Sequence, residues 1–250
     1  VCDGRIALDL AAHMLREWHT ATETLPGEPA HACAGVALVK MRFPFSRAYE
    51  LASDLCQNAK KYVRERNLEV SALDYEIHSG GPMLSVEQRR ERFSTLPEQD
   101  GSQKLFARPY IVVGSPPFTE PYRDWTWFRE SLVRTLQAPP WSSRSDLPRA
   151  AGPSDLGQDK ASEDRQEESS RSAQLHQLAS SFHKGPKAVE RQLELLQHRF
   201  GLAPPVLPRP QGFSFVGGFA QGETPYLDAL ELMDQIVPWS TLIAPSGGGQ

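Results

Sequence analysis

The chain has 250 residues, 39% apolar and 23% charged, with a formal net charge of -4 and a mean hydropathy of -0.46. No stretch approaches the roughly 20 apolar residues of a membrane span, which argues against a spanning helix. A pI of about 6.0 gives no global attraction to nucleic-acid phosphates or anionic lipid, so any basic function has to be local.

Residues 5–19 have helical periodicity, with Ile6, Leu10, Met14 and Trp18 recurring at i+4, Ala11 and Leu15 beside them, and Asp3 as the cap. Pro26, Gly27 and Pro29 mark a loop. Residues 32–39 are a continuous small-and-aliphatic run, suited to a strand covered on both faces. A second helix is predicted over 46–66, buried along Leu51, Leu55, Ala59 and Val63. Residues 70–78 alternate, with Leu73, Tyr75 and Ile77 inward and Asp74 and Glu76 on a wet face. Arg89, Arg90 and Arg92 place 84–93 on a charged surface helix. Tyr110–Val113 suits one more strand, and Trp125, Phe128, Leu132 and Leu136 a helix over 121–137.

Between Ser142 and Gln174 the only large apolar side chains are Leu147 and Leu156. Such a segment cannot bury enough surface to offset its chain entropy, and a disordered linker is expected. Helical spacing returns over 175–200, interrupted at Gly185-Pro186. Thr224-Pro225 then sets a cap followed by proline at the first helical position. The tail at Gly247-Gly248-Gly249 is expected to fray.

The chemistry-bearing residues are few. Cys2, Cys33 and Cys56 are odd in number and widely spaced, giving neither a disulfide framework nor a zinc pattern, and fit a reducing, cytoplasmic setting. The seven histidines form no metal-binding spacing. Gly80-Gly81-Pro82 and Gly217-Gly218 are turns, without the GK[ST] element of a phosphate loop. Lys60 and Lys61 stand near the end of a helix that follows a buried strand, where an ammonium can meet a triphosphate or simply oppose the helix dipole. Arg64 and Arg66 extend this basic group, which is interleaved with Glu65.

The run CAGVALVKMRFPFSRAYELASDLCQNAKK (33–61) resembles the second palm domain of the large subunit of type III CRISPR effector complexes. In that family a small-residue strand, a short turn, FPF and a helix ending Ala-Lys-Lys follow one another. Ser71–Tyr75 resembles the family's next strand. The GGDEF diguanylate cyclases share the skeleton more distantly. The resemblance is specific over 32–78 and extends over 1–114; RSAQLHQL (171–178) and PYLDALEL (225–232) are similar to the helical tail of stand-alone relatives.

The resemblance implies an α+β fold: a partial ferredoxin-like palm (1–114), a helix packed on it (115–141), the linker (142–174) and a C-terminal helical portion (175–250). It implies ATP binding through Lys60 and Lys61, with Gly35 letting the strand lie close under the base or the opposite helix. It implies CRISPR effector subunits and guide RNA as partners, no membrane, and a parent protein making cyclic oligoadenylates. Mg or Mn belongs to a Gly-Gly-Asp-Asp hairpin that the chain lacks. The family places that hairpin just ahead of the first helix, so the expectation is an N-terminally truncated piece, or a natural variant without the hairpin. No catalytic residue is therefore assigned. The alternatives are an inactive palm serving as an effector scaffold and a diguanylate-cyclase-like signalling enzyme.

Overall fold

The structure is a computed structural model that describes residues 1–27, 29–78, 80, 84–98, 101–117, 119–137, 173–200, 209–210 and 213–237. The predicted linker lies outside these residues over 142–172, as does the glycine tail; residues 173 and 174 already belong to a helix.

The fold is α+β around a small mixed sheet of three strands in the order Cys33–Val39, Ser71–His78, Tyr110–Val113. Helix α1 (Gly4–Thr22) starts where the Asp3 side chain accepts from the Arg5 backbone N–H. Strand β1 (Cys33–Val39) leads into α2 (Phe45–Glu65), which returns the chain to β2 (Ser71–His78), parallel to β1 with Gly35 opposite Asp74. Asn67, at φ 52°, ends α2, and the Leu68 N–H bonds back to the Val63 carbonyl at 3.0 Å. Helix α3 (Val86–Phe93) is short and opens with a reciprocal cap between Ser85 and Gln88. A hairpin of β3 (Thr95–Glu98) and β4 (Gly101–Lys104) follows, then β5 (Tyr110–Val113), antiparallel to the first half of β2.

The two faces of the sheet are covered differently. Ala34, Val36 and Leu38 of β1, with Leu73 and Tyr75 of β2, join the main core with Leu8, Ala12 and Leu15 of α1. Gly35, Ala37 and Val39 point the other way, to Leu51 and Leu55 of α2. The helix expected over 121–137 is a 3-10 turn (Pro121–Arg123), then a helix that widens to π geometry over Trp127–Val133 before α4 (Arg134–Gln137). Its predicted stripe, Trp125, Phe128, Leu132 and Leu136, is buried. Helix α5 (173–182) and α6 (Pro186–Phe200) are separated at Gly185, and α7 (Pro225–Leu232) opens with the Thr224 hydroxyl accepting from the Tyr226 N–H. Phe182, Val189, Tyr226 and Leu230 enter the same core cluster as α1 and β2.

Three expectations are corrected. The buried face of α1 is Leu8, Ala12 and Leu15, whereas Ile6, Leu10, Met14 and Trp18 are exposed; α1 carries two apolar stripes, and the sheet takes the other one. Asp74 and Glu76 are not a wet face: Asp74 is 0% exposed and Glu76 8%. Arg89 and Arg90 are correspondingly buried, because α3 folds over that half of β2 and carries them in.

Candidate functional site

The sequence singled out Lys60, Lys61 and Gly35, and the structure puts them in three different circumstances. Gly35 is the closest point between β1 and α2. A Cβ there runs into the Ala52 carbonyl oxygen and the Cys56 backbone nitrogen, and lies 2.9 Å from Leu55 Cβ. The glycine therefore serves strand–helix packing, the second of its two expected roles. Lys61 turns toward α3, its Nζ 3.6 Å from Glu87, both side chains mostly in water.

Lys60 is one position round the helix, on the opposite flank. It is half-buried and its charge is felt at Cys33, at the amino end of β1. Arg64, one turn on, acts on the same thiol. Burial pushes the Cys33 thiol up and Cys56 adds to that, while a hydrogen bond with the Ala72 backbone and the charges of Lys60 and Arg64 pull it down. The Cys56 thiol donates to the Cys33 carbonyl at 3.3 Å, tying this flank of α2 to the strand. Neither Lys60 nor Arg64 has a carboxylate within ion-pair distance among the described residues. The other member of the basic group is committed: Arg66 is 3.2 Å from Glu120, which also accepts from the Tyr62 hydroxyl at 2.7 Å. Two unneutralised cations at i,i+4 repel one another, and a helix tolerates the arrangement at a cost of a few tenths of a kcal/mol. An anion between them removes that cost. Chemically the pair suits a phosphate group.

On the other flank of α2, beside Asn58, lies a buried charge network that periodicity in the sequence could not show. Asp74 receives both Arg90 guanidinium nitrogens, at 2.7 and 3.1 Å, and the Asn58 amide of α2 at 2.7 Å. Glu76 sits 3.4 Å from Arg89 and 3.7 Å from Arg90. His78 Nδ1 is in contact with Arg89 and its ring stands edge-on to Phe43. Burial, and then the Arg89 charge, hold the His78 imidazole below its ordinary value, with Glu76 opposing. β5 pairs only as far as Leu73, and past that point the guanidiniums of Arg90 and Arg108 donate to the Tyr75 carbonyl. Arg108 is itself held by Asp228 of α7 at 3.0 Å, and the second Asp228 oxygen accepts from the Ala107 N–H and the Tyr110 hydroxyl. Arg123 contacts both Glu120 and Glu223. Both β2 carboxylates are thereby engaged by arginines, and no group of three or more His, Cys, Asp or Glu residues suited to a metal is present among the described residues.

No helix among the described residues is long and apolar enough to cross a membrane. Comparison with known proteins returns no matching family model, no matching curated protein and no matching solved structure.

Proposed function

We propose that this chain is the nucleotide-binding palm portion of a CRISPR-type antiviral defence protein, with the triphosphate of ATP held by Lys60 and Arg64. The observation that carries the reading is the unneutralised Lys60–Arg64 pair on the α2 flank beside Cys33, in the segment whose sequence resembles the family. Lys61, the family's second candidate, is engaged with Glu87, and Arg64 takes its place. The β1-α2-β2 crossover fits the strand–helix–strand order of the resemblance, whereas a ferredoxin-like sheet has four antiparallel strands and the described sheet has three, with β1 and β2 parallel neighbours. Synthesis of cyclic oligoadenylates, with Mg or Mn, belongs to the proposal only together with an acidic hairpin supplied outside these residues. The engagement of Asp74 and Glu76 by arginines favours a second reading, an inactive palm that binds and scaffolds.

ATP titration followed by calorimetry tests the phosphate role. A charge-assisted phosphate contact contributes about 1.5–3 kcal/mol, so Lys60→Ala and Arg64→Ala are each expected to weaken binding roughly 10- to 100-fold. Lys61→Ala should leave it unchanged. Absence of ATP binding by the unsubstituted chain, or equal losses at Lys60 and Lys61, defeats the proposal.

A further inference from the structure

We propose that the outer edge of β1 is a self-association surface, on which two copies of this chain pair β1 against β1 in antiparallel register. The inference goes beyond nucleotide binding and does not depend on it.

The sheet ends at β1, and no strand among the described residues pairs with its outer side. A free edge offers alternating N–H and C=O groups that only another extended strand can satisfy in full. Edges of stable monomers are blunted by charges, prolines or bulges. The run Cys33–Val39, CAGVALV, has no charge and no proline, and its pairing with β2 runs through all seven residues without a register shift.

The helices on both sides add apolar surface at this edge. On α1, Asp9 is bonded to Arg129 and Arg16 to Thr126, so that flank leans toward the helix covering β5. At 100° per residue, Leu10 faces away from the sheet, Met14 and Trp18 lie on the flank opposite Asp9 and Arg16, toward the β1 edge, and Ile6 continues the row round the outer surface. They are 41%, 64%, 53% and 38% exposed respectively. On α2, Asn58 and Lys61 face Asp74 and α3, while Ala52 and Cys56 lie against β1. Phe45 and Tyr49 share the Ala52–Cys56 flank and are both 67% exposed; Met41, just past the end of β1, is 96% exposed. Met14 and Trp18 on one face of the sheet, Phe45 and Tyr49 on the other, and Met41 at its end together expose several hundred Å² beside the edge, comparable with the roughly 800 Å² per partner of a standard interface.

A second copy is the occupant because this surface asks for a strand that is apolar on both faces, and β1 is such a strand. A two-fold axis through Val36 pairs all seven residues and sets α1 against α1 and α2 against α2, as an isologous interface requires. Antiparallel pairing also keeps like charges apart. Lys60 and Arg64 flank the amino end of β1, which falls beside the carboxyl end of the second copy's strand, where Phe45 and Tyr49 are. Each cation row then meets aromatic rings rather than its own duplicate.

Sedimentation equilibrium of the full chain over about 1–100 µM is the test, chosen to span ordinary dimer affinities. The expected result is a species of twice the 27.9 kDa chain mass. The double variant Met14→Asp, Trp18→Asp should raise the dissociation constant at least about 100-fold with an unchanged circular dichroism spectrum. A second variant reads the register directly and covers the case in which the double variant fails to fold. In a Cys2→Ser background, Val39→Cys puts a thiol opposite Cys33 of the second copy, and mild oxidation should give a covalent dimer on a non-reducing gel. A monomer throughout the range overturns the proposal and leaves the edge to a strand from another polypeptide. Open-ended association, a dimer untouched by the α1 substitutions, or no crosslink through Val39→Cys also overturns it.

Discussion

Replacing Gly35 with alanine isolates the strand–helix contact from any role in ligand approach. The added Cβ meets the Ala52 carbonyl oxygen and the Cys56 nitrogen, both backbone atoms inside α2, and lies 2.9 Å from Leu55 Cβ. An ordinary carbon contact is about 3.5–4.0 Å, so β1 and α2 have to separate by roughly 1 Å. Neither neighbour is the movable end of a side chain, so relief comes only from shifting a whole element. That shift loosens Leu51, Leu55, Ala37 and Val39 together. Overpacking in a close-packed core costs about 1–3 kcal/mol, and a contact with backbone on the far side belongs at or above the upper end. Since a domain has only about 5–15 kcal/mol in hand, Gly35→Ala should move the urea midpoint strongly. Urea titration followed by tryptophan fluorescence measures it. A loss below about 0.5 kcal/mol, the size of an ordinary surface substitution, would falsify the packing account. Normal stability with weakened ATP binding would return Gly35 to the ligand-approach role.

Other substitutions separate the remaining parts. Arg90→Leu leaves the fully buried Asp74 without its counter-charge and should cost about 3–5 kcal/mol in urea titration. Adding Asp74→Asn should recover part of that loss, and simple additivity of the two would refute the pairing. For His78 the folded-state pKa is below the unfolded value of 6.5. The unfolded chain therefore takes up the proton first, and stability falls as pH drops below about 6.5 while staying level above it. Urea midpoints at about pH 8 and pH 5.5 should differ less in His78→Gln than in the unsubstituted protein; an equal difference would show that acid sensitivity comes from elsewhere.

Much of the architecture was legible because it is local. β1 announces itself as an unbroken apolar run, α2 by its Leu51–Leu55–Ala59 spacing, α7 by Thr224-Pro225. The failures share one physical cause: periodicity identifies a face but not what the face meets. On α1 two apolar rows have the same i+4 spacing, and only the position of the sheet selects Leu8, Ala12 and Leu15. On β2 the alternation of Asp74 and Glu76 is correct, yet α3 covers them with Arg89 and Arg90, which no window around residue 75 reports. At the candidate site, Lys60 and Lys61 are adjacent in sequence and equivalent in composition. What separates them is Glu87, 26 positions beyond Lys61 and brought beside it by the fold.

The tethers between Arg108 and Asp228 and between Arg123 and Glu223 also bear on the order of assembly. Lys104 draws on Glu223 as well, 119 positions downstream. During synthesis these cations emerge long before their carboxylates, so the first half of the chain leaves the ribosome with arginines it cannot yet bury without cost. Completion of the core waits on the arrival of residues 223–228, and long-range closure of this kind slows folding. A nascent chain of this protein is therefore expected to hold these cations in solvent until residues 223–228 have emerged.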